Sequence, residues 1–441
     1  MTSDPGRTDL GRTGLARADL SRTELVLSPT PAAHFGVGAV GRLPGIVRGT
    51  GRHAALVVTD AALAATPVVA SVTSVLEAAG IPVTVFRGVH PNPTTGDVAA
   101  GAEVAAGAAP RVTLVAVGGG SPIDAAKGIA LAAVNPQRGR DLDYRGQFAS
   151  PALPIVAVPT TAGTGAETNA FGVVTDPETH RKFYVGHAST MPAAAVLDPG
   201  LTVGLPPPAT AATGMDALTH ALESYLSVRA NPWSDGIALQ VIRMIAVNLP
   251  RAHADGQDLE ARSQMLLAAH MAGIAMATTG LGLCHAVGHA VGGRFDIAHG
   301  VALTAALPQV LRFNAPACAE RLADVAAALG AGDPSRDSAW NADAAIEAVA
   351  GLAGRLGMPR RAADLGISRA DFDQIAADAL DDEVLANTPR PPTAGDIHTI
   401  LLASDQGVTA DGSVPSGRGM MAGSDGSPPP PRPPTRRGDR P

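Results

Sequence analysis

VTLVAVGGGSPIDAAKGIA, residues 112–130, reads as a strand, a glycine turn and a helix. The apolar run has no polar alternation, so its strand is covered on both faces, as in a parallel sheet. Gly118, Gly119 and Gly120 let the backbone approach a ligand closely. The helix start that follows offers free N–H groups to an anion, with Ser121 and Asp124 in its first turn. The blander reading is a tight strand-to-helix turn capped by Ser121. The motif is neither GxGxxG nor a Walker loop. Lys127 is an i+3 partner for Asp124 and reads as structural.

Outward from this segment the same alternation repeats. AALVVTD (54–60) precedes a helix ending at LEAAG (76–80); IPVTVF (81–86) and a helix around residues 98–108 follow. LPIVAVPTT (153–161) and AAVLDP (194–199) supply further strands. The pattern predicts an α/β, Rossmann-like unit with a parallel sheet. VPTTAGTGAET (158–168) ends a second strand in a loop whose Thr160, Thr161 and Thr164 can donate to phosphate or ribose oxygens. Alone it is an ordinary polar loop. Two such loops at neighbouring strand ends suggest a dinucleotide lying across the sheet, and Asp60, ending the VVTD strand, suits ribose hydroxyls and NAD over NADP.

Past the Pro206–Pro208 triplet the β signals fade. ATAATGMDALTHALESYLS, SDGIALQVIRMIAVNLP, DLEARSQMLLAAHMAGIAM and AAIEAVAGLAGRLG all read as helices. The expected organisation is a flexible leader (1–25), an α/β cofactor domain (26–200), an all-α domain (201–405) and a disordered Pro/Gly/Arg-rich tail (406–441). Residues 6–25 form four imperfect pentads, too few for a stacked repeat.

The chain has 441 residues, 46% hydrophobic and 17% charged, enough to bury a large core, and a net charge of −7 gives no nucleic-acid footprint. No secretory signal or membrane span is evident; the mild apolar stretch 266–283 reads as a buried helix. Cys284 and Cys318 are too few for a disulfide framework and fit a reducing cytoplasm. Lysine occurs twice, at Lys127 and Lys182, among 33 basic residues, a hint that arginine would not serve at those positions.

Asp216 and His220, and likewise His285 and His289, are spaced i, i+4, which puts each pair on one helix face; His299 follows ten residues on. Imidazoles with one carboxylate suit Fe²⁺ or Zn²⁺ better than Ca²⁺ or Mg²⁺. Spacing does not decide which of His285 and His289 is a ligand. Histidines elsewhere, such as His53 and His270, show that one pair alone would mean little.

GGGSPIDAAK, VPTTAGTGAET, GMDALTHALESY and GLCHAVGHAVGGRFDIAHG closely resemble the iron-containing (group III) alcohol dehydrogenase family, within the dehydroquinate synthase-like superfamily. The likeness runs from about residue 35 to 404. It implies a Rossmann-like NAD(P) domain, a helical metal domain and a homodimer acting on small alcohols or aldehydes. By that resemblance Asp216, His220, His285 and His299 are the metal ligands and His289 is a non-ligand histidine near nicotinamide, relaying a proton. Gly119, Gly120, Ser121 and Asp124 match the pyrophosphate loop, Asn92 in HPNPT the adenine-side segment, and Thr160, Thr164 and Lys182 further cofactor contacts. Ala298 and Thr304, on either side of the last ligand His299, depart from the proline and asparagine that relatives often show, an expected change in the pocket wall. Rival readings are a dehydroquinate-synthase-like lyase, which needs more basic side chains than the helical half carries, and a metal-dependent hydrolase, which would not bind NAD.

Overall fold

The structure is a computed structural model and describes Leu27 and residues 30–406 apart from His180 and Arg360. The pentads and the tail beyond residue 406 lie outside the described residues.

The first half runs β1 (Ala32–Phe35), α1 (Leu43–Gly49), β2 (Ala54–Asp60), α2 (Ala61–Ala64), α3 (Pro67–Ala78), β3 (Val83–Val89), α4 (Thr95–Ala108), β4 (Val112–Gly118) and α5 (Gly120–Ala132). It continues with β5 (Ile155–Pro159), β6 (Phe171–Asp176), β7 (Arg181–Gly186) and β8 (Ala194–Leu197). Six strands form one parallel sheet in the order β1-β8-β5-β4-β2-β3. Both faces are covered, which is why the central strands read as unbroken apolar runs. Leu56, Leu114 and Ile155 pack under α4 and α5 on one face. Val57, Val115 and Val156 pack against Leu43, Val72 and Leu76 of α1 and α3 on the other. The sheet grows outward from β2 to β3, then reverses to β4 on the other side of β2. The strand ends carrying Asp60 and Gly118 therefore flank the point where ligands bind in open α/β sheets.

Local chemistry fixes the helix starts. Thr94 Oγ1 accepts from Asp97 N at 3.2 Å while the Asp97 carboxylate accepts from Thr94 N at 3.0 Å, a reciprocal cap opening α4. The sequence reading did not find β6 and β7, an antiparallel hairpin beside the main sheet. Its inward residues Val174, Phe183 and Val185 join the core under α5.

The second half is α6 (Pro207–Leu226), α7 (Pro232–Ala254), α8 (Leu259–Thr279), α9 (Leu283–Phe295), α10 (His299–Ala328), α11 (Ser338–Arg355), α12 (Phe372–Leu380) and α13 (Ala394–Gln406). Helix α6 is buried around most of its circumference, as a central helix must be, and shares one core with α7–α13. The stretch 266–283, read above as one buried helix, is not continuous. It breaks at Gly280 (φ 72°), and α8 and α9 meet at 106°. That bend sets the direction in which α9 projects its histidines. No single helix among the described residues is long and apolar enough to cross a membrane.

Candidate active site

Helix α6 carries Asp216 and His220, α9 carries His285 and His289, and His299 is the first residue of α10. Asp296 reverses the chain between α9 and α10 in a left-handed conformation (φ 51°), so His299 swings back beside His285 instead of continuing along α9.

Three imidazole nitrogens face one carboxylate oxygen. Asp216 Oδ1 lies 3.5 Å from His220 Nε2 and 3.7 Å from both His285 Nε2 and His299 Nε2. These separations are too long for good hydrogen bonds. They match a ligand shell, since nitrogens ~2.0–2.1 Å from a tetrahedral ion stand roughly 3.4 Å apart. The donor atoms of Asp216, His220 and His285 lie within 4.8 Å of one another, with His299 at the rim and its side chain 29% exposed. Asp216 Oδ1 and His285 Nε2 are buried with no hydrogen-bond partner. Burial without a partner is costly unless a cation completes the site. The N₃O donor set fits Fe²⁺ or Zn²⁺.

The electrostatics agree. Burial works against the Asp216 charge, yet His220, His285 and His299 hold its carboxyl far below the usual carboxylate range. Burial would also lower His285, but the Glu223 and Asp216 carboxylates outweigh it and raise the imidazole to about 9. A proton there supplies the positive charge the cluster lacks, and a divalent ion would compete for the same place.

Glu223 was missed by the sequence reading. It lies two turns beyond Asp216 on α6, and its carboxylate accepts from His285 Nδ1 at 2.5 Å, Gly282 N at 2.9 Å and Cys284 N at 2.6 Å. Those contacts fix the His285 ring with Nε2 toward Asp216, the usual support for a ligating histidine. Its seven-residue spacing from Asp216 was the available signal. Cys284 itself is buried, its Sγ is 3.5 Å from the Leu303 carbonyl, and burial pushes its thiol well up, so it packs as an ordinary core residue.

His289 does not converge on Asp216. Its Nδ1 lies 2.7 Å from Asp382 Oδ2, and its ring stacks on His299 with centroids 5.4 Å apart. With Asp382 ionised, Nδ1 carries the proton and Nε2 keeps a lone pair. Burial lowers the His289 pKa, and Asp382 partly offsets this. Asp382, 93 residues away in sequence, was also missed.

A cavity of about 150 Å³ opens beside this cluster. Gly120, Ser121, Asp124, Thr164, Asn92 and Lys182 line it together with all four metal-type residues and His289. Three expected cofactor residues lie outside that lining. Gly119 is the N-cap of α5 with no side-chain cap, leaving the helix N–H groups free. Thr160 is buried, its N–H donating to Gly118 O at 2.9 Å and tying the two loops together. Asp60 caps α2, accepting from Leu63 N at 2.8 Å. Ser121 is therefore not the cap of α5. Asp124, beyond facing the cavity, accepts from Val173 N at 3.0 Å and holds the hairpin. Asn92, expected on the adenine side, sits at the histidine cavity. Its Oδ1 accepts from Lys182 Nζ at 3.0 Å and its Nδ2 donates to Asp296 Oδ1 at 2.8 Å. Neither Ala298, the N-cap of α10, nor Thr304, whose hydroxyl bonds Gly300 O, lines the cavity, so the expected change in its wall is not seen.

The threonine loop is wedged in place. A Cβ on Gly165 (φ 58°) would meet Gly273 Cα of α8 at 2.7 Å. Lys127 is fully buried, its ammonium donating to Ala166 O, Asn169 Oδ1 and Phe171 O. Three donors on a compact head meet three acceptors, which a planar guanidinium could not reproduce.

Comparison with known proteins agrees with this arrangement. Residues 30–199 match the family model for iron-containing alcohol dehydrogenase, and residues 210–404 match the C-terminal model of the same Fe-containing family. The chain is 42% identical to a 1,3-propanediol dehydrogenase of Citrobacter freundii, over 80% of this chain and 91% of that one. It is 38% identical to an NAD-dependent methanol dehydrogenase of Bacillus methanolicus, over 84% and 97%. The crystal structure of a 1,3-propanediol oxidoreductase superposes with a TM-score of 0.82 at 38% identity, covering 85% of this chain and 98% of that one. The two family models together span the sheet half and the helical half, and the chain belongs to the iron-containing alcohol dehydrogenase family.

Proposed function

We propose that Asp216, His220, His285 and His299 hold a divalent ion, Fe²⁺ with Zn²⁺ as the alternative, at the point where NAD and an alcohol meet. The observation that carries this reading is the pair of buried, partnerless atoms Asp216 Oδ1 and His285 Nε2 beside a cavity that the glycine and threonine loops also line. The protein is a metal-dependent, NAD-linked alcohol dehydrogenase, interconverting an alcohol with its aldehyde or ketone. The ion supplies Lewis acidity to the substrate oxygen, and NAD accepts the hydride.

The chain's own residues do the rest. The free N–H groups at the start of α5, with Gly119, Gly120 and Ser121, receive the pyrophosphate. Asp124, Thr160 and Thr164 shape that loop, and Asp60 at the end of β2 binds the adenine ribose and disfavours a 2′-phosphate. Asn92 and Lys182 meet the nicotinamide end. His289, its Nδ1–H held by Asp382, takes the alcohol proton at Nε2 and passes it outward through the adjoining vestibule of about 250 Å³, which His289 also lines. Met276, Leu281 and Phe171 give the cavity apolar walls that limit competing water. The division into a cofactor domain (26–200) and a metal domain (201–405), homodimerisation and a cytoplasmic location belong to the same reading.

The test is NADH formation from a panel of short alcohols by metal-stripped protein reloaded anaerobically with Fe²⁺ or Zn²⁺. Turnover that returns only with metal supports the reading. NADH that fails to bind would overturn the cofactor assignment.

A further inference from the structure

Among the described residues, five buried side-chain polar atoms without a partner belong to residues lining the histidine cavity. Two of them, Asp216 Oδ1 and His285 Nε2, face the proposed ion; two more are Nδ1 of His220 and His299, the ring nitrogens that do not face Asp216. The fifth is Tyr184 Oη. No protein group satisfies this hydroxyl, and the acids near it are engaged elsewhere. Asp382 bonds His289 and Val384 N, and Glu383 accepts from Tyr144 Oη at 3.0 Å.

Tyr184 is held firmly. It lies on β7 opposite Val173 of β6. Its ring meets Phe171 edge-on at 5.7 Å, Tyr144 at 6.2 Å and His289 at 6.4 Å between centroids. It lines both the histidine cavity and the outer vestibule, at their junction. Burial, then the Asp382 and Glu383 carboxylates, push its pKa far up, so the hydroxyl remains a neutral donor throughout the working range. Met276, Leu281, Phe171 and Val173 line the same cavity with side chains that offer no strong hydrogen-bonding group. A monohydric alcohol seated there leaves the phenol unpaired, whereas a second substrate oxygen gives it a partner. A buried polar group without a partner is costly, and a site built around one discriminates against the analogue that leaves it empty.

We infer that Tyr184 is a specificity-determining residue that hydrogen-bonds a second oxygen of the substrate, so that the site prefers diols and their hydroxyaldehyde or hydroxyketone products to monohydric alcohols. The inference rests on the dehydrogenase reading above and adds the substrate class.

The experiment compares 1,2-propanediol and 1,3-propanediol with 1-propanol, three substrates of equal carbon number, on the metal-loaded enzyme with NAD. In the wild type, kcat/KM for the better diol exceeds that for 1-propanol by on the order of tenfold or more. In Tyr184→Phe that ratio falls towards one. A second readout is independent of turnover: each alcohol is titrated into the metal-loaded enzyme–NADH complex, and quenching of the bound NADH fluorescence gives its Kd. The diol is expected to bind more tightly than 1-propanol, and Tyr184→Phe to narrow the gap. A wild-type ratio near or below one overturns the inference, as does a diol preference that survives Tyr184→Phe; both leave the dehydrogenase reading standing. Absence of turnover with every alcohol overturns that reading and this inference with it. Should Tyr184→Phe fail to fold, Tyr184→Leu, which also lacks the hydroxyl, gives the same comparison.

Discussion

Replacing Glu223 by glutamine should weaken the metal site without substituting any residue that would touch the ion. The carboxylate accepts three N–H groups, from His285 Nδ1, Gly282 and Cys284. A carboxamide of the same size keeps one acceptor and brings an NH₂ group that cannot accept. If its oxygen takes the Oε1 place and accepts from Cys284 N, the NH₂ takes the Oε2 place, faces His285 and forces Nδ1 to become the acceptor. The ring proton then moves to Nε2, the atom 3.7 Å from Asp216 Oδ1, and blocks coordination. Loss of such a support costs ~10–100-fold in metal affinity, or about 1.4–2.7 kcal/mol. Alanine is the poorer choice. It strands three buried donors at about 1–3 kcal/mol each, a sum comparable with the whole stability of a typical protein. The assay is Fe²⁺ or Zn²⁺ affinity of Glu223→Gln by chelator competition, with the melting temperature of the metal-free protein as the control for folding. Wild-type affinity in a folded Glu223→Gln protein would refute the tautomer argument.

In Asp382→Asn the amide oxygen stays with Val384 N and the NH₂ meets His289 Nδ1, reversing the tautomer and lowering kcat at least ~10-fold while NADH affinity and metal content hold; unchanged kcat would deny His289 its proton-transfer role. Asp60→Ala should raise the NADP-to-NAD ratio of kcat/KM by roughly tenfold or more by removing charge repulsion, at a cost of about 1 kcal/mol for the lost α2 cap. An unchanged ratio would place the ribose elsewhere. Lys127 offers a pH test on stability. Burial lowers it to about 8, with Asp124 and Glu167 opposing. Between about 8 and its unfolded value of ~10.4 the unfolded chain binds the extra proton, so this residue's cost to folding is relieved as pH rises, by at most ~1.4 kcal/mol per pH unit. Urea unfolding of wild type and Lys127→Met should therefore diverge in favour of the wild type as pH rises from 8 to 10. Parallel curves would show that Lys127 titrates normally.

What was legible in the sequence is what is local. The i, i+4 pairs of α6 and α9 and the strand–glycine–helix unit at β4 and α5 depend only on spacing along one element. The choice between His285 and His289 was not local. It depends on where Glu223 and Asp382 reach α9, from 62 and 93 residues away. The break at Gly280 was hidden because the apolar composition continues across it, and only the positive φ of that glycine turns the chain. The hairpin of β6 and β7 went unseen because half its face is solvated and lacks the apolar runs of the central strands. It carries Tyr184, which went unseen with it, and Lys182, which only the family resemblance placed at the cofactor. The position of Asn92 was likewise out of reach. Its left-handed backbone (φ 52°) and its bond to Asp296 join segments 204 residues apart.

The most direct measurement of the central claim is the crystal structure of the protein loaded anaerobically with Fe²⁺ and NADH, with anomalous scattering recorded at the iron edge. One anomalous peak is expected within ~2.0–2.3 Å of Asp216, His220, His285 and His299, with the nicotinamide in the cavity beside His289. A peak held by other residues, or a nicotinamide remote from these histidines, would contradict it.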